Sequence, residues 1–314
     1  MANVPAADAF TSHSPNHLSL DHYWLVINMA WQRSNRNEIL AKWIEDHFEL
    51  KIVNIFSERL GDQIGINQPL RVLGVGSGAG YQEMLQMKIL KSNFSQISAT
   101  VIEPCTEQIT KYQDAVAKSC DLDGVDYDWQ IQTFQQYFKS PGAKQKYHFI
   151  TVVDAIYFVG EVEEGVRNLY ELLEPGGMIL IILVTEHTGF GKFWKYFPNL
   201  KRNPGTSESL AGQTNYTNSA DVKSVLTKHR IAYTQFSYTQ SLDATPCFTD
   251  SDTIAARLLL DNITLIKNCK ESLPDEVFNR VMDFLKHNTR FVKSDQGGDT
   301  FYFDTKSDII LISK

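Results

Sequence analysis

The chain has 314 residues, of which 43% are apolar, and it carries a net charge of −7 with a pI of about 5.6. This acidic balance, without a long basic run, argues against nucleic acid or an anionic membrane as a partner. No segment approaches the roughly 20 apolar residues of a transmembrane helix, and the start lacks the regions of a signal peptide, so we expect a cytoplasmic protein. The four cysteines lack metal-ligand spacing, so we expect reduced thiols and no metal.

The first 61 residues are predicted to form a polar tail followed by helix. Residues 1–18 are rich in Ala, Ser, Asn, Pro and His and are expected to be disordered. From Tyr23 to Leu60 the apolar residues recur with a helical period, and Gly61 is suited to end that stretch as a C-cap. We expect residues 19–61 to form a helical lid over a site in the rest of the chain.

A glycine-rich turn follows the first predicted strand. The apolar run Val72–Val75 stops at the residues Gly76, Ser77, Gly78, Ala79 and Gly80, a helical pattern comes next, and the run 99–102 ends in Glu103. Glycines let a backbone approach a ligand, and an acid at the tip of the second strand can bind a ribose hydroxyl pair. The G-x-G-x-G spacing is typical of S-adenosylmethionine-dependent methyltransferases. A dinucleotide site and a tight turn without ligand remain the alternatives.

Strand and helix patterns then alternate through the rest of the chain. Further strands are predicted at 126–133, 146–154 and 178–184, with helices at 108–119 and 161–173 between them. Residues 185–217 are rich in glycine, proline and aromatic residues and are expected to cover the substrate. A closing hairpin is predicted from strands 300–304 and 307–312, joined by the turn Asp304–Ser307. The alternation predicts a doubly wound, mostly parallel sheet, with residues 62–314 as one domain.

With these elements placed, the chain resembles the histamine N-methyltransferase family. The segment Val101–Lys118 carries the strongest likeness, and the glycine loop, the run 189–195, Tyr157–Val159 and Cys247–Phe248 agree with it. The resemblance implies a Rossmann-like methyltransferase with a seven-stranded sheet, and S-adenosyl-L-methionine as the cofactor.

The resemblance also implies which residues contact the cofactor. Gly76 and Gly78, with their neighbours Ser77 and Gly80, match the loop, and Glu103 matches the ribose acid. The remaining matches are Gln108 one helical turn beyond Glu103, Val153 beside the cofactor, and Phe134 near the adenine, where the family has a serine. Phe134 could stack on the base, Thr133 could supply the hydroxyl after a one-residue slip, or Phe134 could be ordinary core.

The acceptor positions depart further from the family pattern. Arg36, Asp154 and Asp304 stand where the family has a glutamate, a glutamine and an asparagine. The other residues predicted to contact the acceptor are Tyr23, Asn37, Tyr157, Phe158, Phe190, Trp194 and Phe248. Aromatic faces suit a flat or cationic substrate. Arg36 could instead lie on a solvated helix face, and Asp304 could be a turn residue.

These residues predict an S-adenosylmethionine-dependent N-methyltransferase of a small amine or imidazole-like metabolite. Asp154 and Tyr157 are the predicted catalytic residues, and Asp154 is the candidate to orient the nitrogen or accept its proton. A helix cap or a cofactor contact is the alternative for Asp154. An O-methyltransferase of the same fold and a non-catalytic adenosyl-binding protein are the other functions considered. We expect a monomer.

Overall fold

A computed structural model describes residues 36–60, 64, 67–197, 200, 217–249, 253–264, 266, 268–293 and 298–314. The predicted tail at 1–18, Tyr23 and the first part of the predicted lid lie outside these residues. Arg36 and Asn37 begin the first helix, but their side chains are also outside the description. Of the helices in the described part of the chain, none combines the length and apolar character that a membrane crossing requires.

Twelve α-helices occur in the described residues: α1 (Arg36–Phe48), α2 (Asn54–Leu60), α3 (Tyr81–Asn93), α4 (Thr106–Ala117), α5 (Phe134–Phe138), α6 (Val162–Glu171), α7 (Gly189–Tyr196), α8 (Ser219–Lys228), α9 (Pro246–Thr249), α10 (Ile254–Thr264), α11 (Cys269–Ser272) and α12 (Asp275–Asn288). A π-helical turn (Glu49–Val53) joins α1 to α2. Short 3₁₀ turns lie at Cys120–Leu122, Pro141–Lys144 and Ile156–Phe158.

The strands in the same residues are β1 (Leu70–Val75), β2 (Ile97–Ile102), β3 (Val125–Gln130), β4 (Tyr147–Val153), β5 (Leu173–Val184), β6 (Tyr233–Asp243), β7 (Arg290–Val292) and β8 (Thr300–Ser313). The sheet order is β3-β2-β1-β4-β5-β8-β6, and β7 pairs with β8 outside this path. Strands β1 to β5 are parallel, and β8 runs antiparallel to β5. The predicted seven-stranded, mostly parallel sheet is confirmed.

The described residues divide into two compact units. The sheet unit comprises those within 37–186, 213–238 and 306–314. The second unit comprises Arg36 and those within 187–212 and 239–305. Strand order in the sheet unit reverses between β1 and β4, because β2 and β3 lie on one side of β1 while β5 lies beyond β4. In open α/β sheets, ligands bind at such a reversal, beyond the carboxyl ends of the strands.

Helices cover both faces of the sheet unit, which explains why its central strands are apolar on both sides. On one face, Phe48 and Phe56 pack edge-on against Phe149 of β4, with ring centroids 5.6 and 5.7 Å away. On the other face, Leu169 of α6 and Leu226 of α8 belong to the cluster of buried side chains that covers β4 and β5. Burying a side chain of this size contributes roughly 1.5–3 kcal/mol relative to leaving it exposed.

The second unit is mainly helical in its described part and contains an aromatic cluster. Phe193 of α7 and Phe197, the residue that follows α7, each lie 5.6 Å from Phe284 of α12, ring centroid to ring centroid. Tyr196 lies 5.0 Å from the same ring. Edge-on and tilted pairs at these distances add to the energy of burial. This packing holds α7, which carries the predicted acceptor contacts Phe190 and Trp194, against α12.

The predicted closing hairpin is wrong, because residues 300–313 form one strand, β8. The backbone N–H of Thr185 donates to the carbonyl of Lys306 at 2.9 Å, and Ser307 pairs with Val184, so the ladder runs through the expected turn. The polar residues of this segment suggested a turn. Thr305 and Ser307 are nevertheless fully buried, and the main-chain ladder outweighs their turn preference.

Asp308 joins three elements of the sheet unit. Only 1% of the residue is exposed, and its carboxylate accepts hydrogen bonds from Ser219 of α8, Ser237 of β6 and Lys223 of α8 at 2.6, 2.6 and 2.9 Å. Burial alone would raise the pKa of this carboxyl, but the bonds from Ser219, Ser237 and Lys223 outweigh burial and lower it. Asp308 is therefore ionised and fully hydrogen-bonded in the folded protein.

We expect Asp308→Ala to lower the free energy of unfolding by roughly 2–4 kcal/mol at pH 7, because it leaves Lys223 and two hydroxyls without their acceptor. Since the pKa of Asp308 is depressed on folding, its contribution is present at neutral pH and is lost as the pH falls through its folded pKa. Urea denaturation at pH 7 and at acidic pH measures both effects. Asp126→Ala, an exposed acid on β3, is the control, and equal losses in the two variants would contradict the role of Asp308.

Candidate functional site

The loop after β1 follows a path that only glycine can take at two positions. Gly76 has φ 65° and Gly80 has φ 76°. A Cβ on Gly76 would lie 2.5 Å from the Ala155 Cβ, and one on Gly80 would lie 2.2 Å from the ring of Tyr112. These approaches are closer than contacting carbon atoms allow, so the loop is fixed by its neighbours as well as by its dihedral angles.

Gly78 differs from those two glycines, because a Cβ there would have no neighbour within 4 Å. Its φ is 54°, and its N–H donates to Glu103 Oε2 at 2.9 Å. The loop therefore presents bare backbone to open space at this point. A ligand can approach the main chain here without meeting a side chain.

Glu103 lies directly after β2 and ties that strand end to the loop. Its Oε2 accepts from Gly78 and its Oε1 accepts from the backbone N–H of Cys105, both at 2.9 Å. The residue is 8% exposed. Burial raises the pKa of the carboxyl, and the bonds from Cys105 and Gly78 partly offset that rise. The two oxygens are held in fixed positions, each with a second lone pair that can accept a hydroxyl hydrogen bond.

Asp154 follows β4, the strand next to β1, and adopts a left-handed backbone conformation. Its φ is 50°, its side chain is half-buried, and its N–H donates to the carbonyl of Ile182 in β5 at 2.9 Å. Aspartate tolerates this conformation better than most residues, but positive φ still costs roughly 1–2 kcal/mol. Because β1, β2 and β4 are parallel, the loop, Glu103 and Asp154 all lie at the same edge of the sheet unit.

Tyr157 and Phe158 lie in the 3₁₀ turn that follows Asp154. The Tyr157 hydroxyl accepts the N–H of Val184 at 3.3 Å, which places the phenol oxygen near the end of β5. The Phe158 ring lies edge-on to the Tyr157 ring with centroids 6.1 Å apart. Both side chains are half-buried, so this edge of the sheet carries an aromatic wall as well as two acids.

The other predicted cofactor residues occupy different environments. Gln108 is half-buried on α4, and Val153 is half-buried at the end of β4. Thr133 is the N-cap of α5, where its hydroxyl accepts from the Gln136 N–H at 3.2 Å in a capping box. Phe134 is 4% exposed and belongs to the hydrophobic core. The capping role of Thr133 and the core packing of Phe134 are sufficient local reasons for both residue types.

Sequence reasoning missed Glu83, which lies beneath the loop. It is the third residue of α3 and is 5% exposed. Burial raises its pKa to about 7, with Ser77 and Tyr112 opposing the rise and Glu103 adding to it. Ser77, predicted as a cofactor contact, has a buried hydroxyl without a hydrogen bond of ordinary geometry. The sequence feature that could have identified Glu83 is an acid in the first turn of the helix that follows a glycine loop.

The predicted acceptor residues in the second unit are engaged within that unit. Phe190 lies edge-on to Phe303 at 5.4 Å, and Phe248 lies 4.8 Å from Phe301, centroid to centroid. Trp194 is mostly buried beside Phe193. Asp304 accepts from Arg290 at 2.9 and 3.1 Å. Burial would raise the pKa of Asp304, but Arg290 and Ser241 outweigh burial and lower it.

This edge of the sheet unit fits an adenosyl ligand with an amino-acid tail. The paired oxygens of Glu103 suit a ribose diol, and the bare backbone at Gly78 suits a ligand that needs close approach to the main chain. Gly76 and Ser77 continue the same surface of the loop. Within the described residues, no group of three His, Cys, Asp or Glu side chains could hold a metal ion.

Comparison with known proteins agrees with this geometry. The chain is 30% identical to histamine N-methyltransferase of Danio rerio over 84% of this chain and 87% of that protein. It is 26% identical to carnosine N-methyltransferase 2 of Gallus gallus over 69% of this chain and 66% of that protein. A candidate methyltransferase from Bacillus halodurans has a similar fold, with a TM-score of 0.50 and 12% identity over 83% of this chain and 97% of its own. No protein-family model matches the chain.

We expect Glu103→Ala to weaken the binding of S-adenosylmethionine by roughly 1.5–3 kcal/mol, the range for hydrogen bonds to a charged group. Glu103→Gln keeps the side-chain volume and should retain part of the affinity. Asp114→Ala, an exposed acid on α4, should bind as the wild type does. Isothermal titration calorimetry measures all three, and unchanged affinity in a folded Glu103→Ala variant would contradict the assignment.

Proposed function

Because this chain belongs to the histamine N-methyltransferase family, we propose that it methylates a nitrogen of a small amine or imidazole-like metabolite. The enzyme is an S-adenosyl-L-methionine-dependent methyltransferase, and the identity of its acceptor is what the proposal adds. The observation that supports the proposal best is the meeting of three features at one sheet edge. These are the bare glycine loop, the doubly anchored carboxylate of Glu103, and Asp154 beyond the end of β4.

When bound, S-adenosylmethionine supplies a methyl group on a sulfonium, which is an excellent leaving group. The residues of the chain therefore need to align the acceptor nitrogen and exclude water more than they need to activate the methyl group. The half-buried Tyr157 and Phe158 rings supply an apolar wall at the edge of the sheet unit. We assign Tyr157 a positioning role, because its hydroxyl is already held by the Val184 N–H.

Asp154 is our candidate to orient the acceptor nitrogen or to accept its proton. A nitrogen that arrives protonated has no free lone pair, so its proton must move to a base before or during attack. Asp154 lies at the reversal point of the sheet, and its backbone is held in an uncommon conformation by the bond to Ile182. Strained residues of this kind cluster at active sites, where the strain aims a side chain.

We expect Asp154→Asn to lower kcat by roughly 100-fold or more while leaving the affinity for S-adenosylmethionine unchanged. Steady-state kinetics measure kcat, and calorimetry measures the affinity. Asp126→Asn is the matched control on β3. If Asp154→Asn instead weakens cofactor binding and leaves kcat unchanged, Asp154 contacts the cofactor and is not the base.

The charge of the acceptor is the second part of the proposal. Histamine carries an ammonium, and Arg36 replaces the acid that the family places on the N-terminal helix. A guanidinium repels an ammonium in a partly desolvated pocket but forms a bidentate pair with a carboxylate. Asp304, the other acid considered for the amine, has its carboxylate in an ion pair with Arg290. The similarity to a protein named carnosine N-methyltransferase 2 favours an acceptor that joins an imidazole to a carboxylate.

We expect carnosine and histidine-like acids to exceed histamine in kcat/KM by roughly tenfold or more, corresponding to about 1.4 kcal/mol of discrimination. Arg36→Glu should reverse this order. Transfer of labelled methyl from S-adenosylmethionine over a panel of histamine, carnosine, histidine, aromatic amines and phenols measures it. Histamine winning by a wide margin would show that Arg36 does not face the acceptor. Preferred methylation of a phenol would favour an O-methyltransferase, and binding without any transfer would favour a non-catalytic protein.

A further inference from the structure

A buried carboxyl group lies beneath the glycine loop, and the mechanism above does not use it. Glu83 projects from the first turn of α3, with only 5% of the residue exposed. A Cβ added to Gly74 of β1 would lie 2.2 and 2.3 Å from the two Glu83 oxygens. The carboxyl group thus fills the space that a side chain at position 74 would occupy, immediately before the loop. Gly74 has ordinary strand dihedrals, so its backbone conformation does not require glycine. Glycine is needed there because a side chain would occupy the space of the Glu83 carboxyl group.

The groups around Glu83 are polar and incompletely hydrogen-bonded. Glu83 Oε1, Ser77 Oγ, and the hydroxyls of Tyr112 and Tyr127 are all buried without a hydrogen bond of ordinary geometry. Tyr112 comes from α4, Tyr127 comes from β3, and Ser77 lies in the loop itself. Buried polar groups in folded proteins are nearly always hydrogen-bonded, so a cluster of unsatisfied groups under a ligand-binding loop points to a state in which they are satisfied.

The carboxyl group of Glu83 changes its protonation state near neutral pH. The titratable groups that face it are Glu103, Tyr112 and Tyr127. Burial raises the pKa of Glu83 to about 7, the nearby Ser77 and Tyr112 hydroxyls oppose the rise, and Glu103 adds to it. Burial also raises the pKa of both tyrosines, so they remain neutral around pH 7. A positive charge placed on the loop would therefore draw the proton from Glu83 rather than from the two tyrosines.

We propose that Glu83 is a positioning residue for the cofactor, whose carboxyl ionises when the positively charged methyl donor occupies the loop and whose proton passes to solvent. S-adenosylmethionine has a net charge of +1, because it carries a sulfonium, an ammonium and a carboxylate. The product, S-adenosylhomocysteine, has lost the sulfonium and is neutral overall. Ionised Glu83 thus favours the donor over the product. This inference rests on the cofactor binding at the loop and is independent of the acceptor.

The test is calorimetry of both ligands between pH 6 and 8, in two buffers that differ in ionisation enthalpy. For S-adenosylmethionine the wild type should release a proton on binding below about pH 7.5, and its affinity should rise with pH by up to roughly tenfold per unit below pH 7. S-adenosylhomocysteine should show a smaller effect. Glu83→Gln mimics the protonated acid, so it should fold normally, release no proton, bind independently of pH and lose preference for the donor. Glu107→Gln, an exposed acid in the first turn of α4, should behave as the wild type does.

A second pair of variants tests the position of the charge. Glu83→Ala should lose the pH dependence, and adding Gly74→Asp to Glu83→Ala should restore it, because the new carboxyl would lie where the Glu83 oxygens are now. Restoration would exclude a purely structural role of Glu83. Proton release that persists in Glu83→Gln, or pH-independent binding of S-adenosylmethionine by the wild type, would overturn the inference. Because no acceptor is present in these measurements, an incorrect acceptor assignment would leave them unchanged.

Discussion

The carboxylate of Glu103 is the interaction on which the candidate site depends. It accepts one backbone N–H from the glycine loop and one from the chain that follows β2, so it joins the ends of two neighbouring strands. The loop can reach this carboxylate because Gly76 and Gly80 have no side chains. A side chain at either position would clash with Ala155 or Tyr112. The bare backbone at Gly78 and the orientation of the acid are thus consequences of one local arrangement, and a ligand meets both at once.

Three buried acids of the sheet unit show how donors decide the charge of a carboxyl group. Asp308 accepts bonds from two hydroxyls and an ammonium, which lower its pKa despite burial. Glu103 accepts two backbone N–H groups, which only partly offset burial. Near Glu83, burial outweighs the opposing Ser77 and Tyr112 hydroxyls, and the pKa rises to about 7. The series runs from Asp308, in a structural ion pair, to Glu103, the proposed ribose acid, to Glu83, whose charge we propose that the cofactor changes.

The sequence was most informative where local chemistry constrains it. The glycine spacing followed by Glu103 predicted the loop, the strands on both sides and the cofactor, because the turn needs glycine where the backbone is left-handed, as at Gly76 and Gly80. Glu83 was missed because the sequence of a helix does not show whether a single acid faces solvent or the neighbouring strand. The glycine at position 74, which leaves room for the Glu83 carboxyl group, is the one feature that separates these two orientations. The segment 304–307 was wrongly predicted as a turn because Thr305 and Ser307 are buried by parts of the chain distant in sequence, which no local pattern reveals.

The proposed cofactor and acceptor residues lie largely on different elements. The glycine loop and Glu103, proposed to bind the cofactor, lie at strand ends whose positions the parallel sheet fixes, whereas the proposed acceptor contacts other than Asp154, Tyr157 and Phe158 lie on an N-terminal helix and on elements of the second unit. Asp304 illustrates the difference, because its carboxylate is neutralised within its own unit by Arg290 and so offers less attraction to an amine. Arg36 begins a helix outside the sheet. The proposed change of acceptor from an ammonium to a carboxylate therefore needs only one charge reversal on that helix.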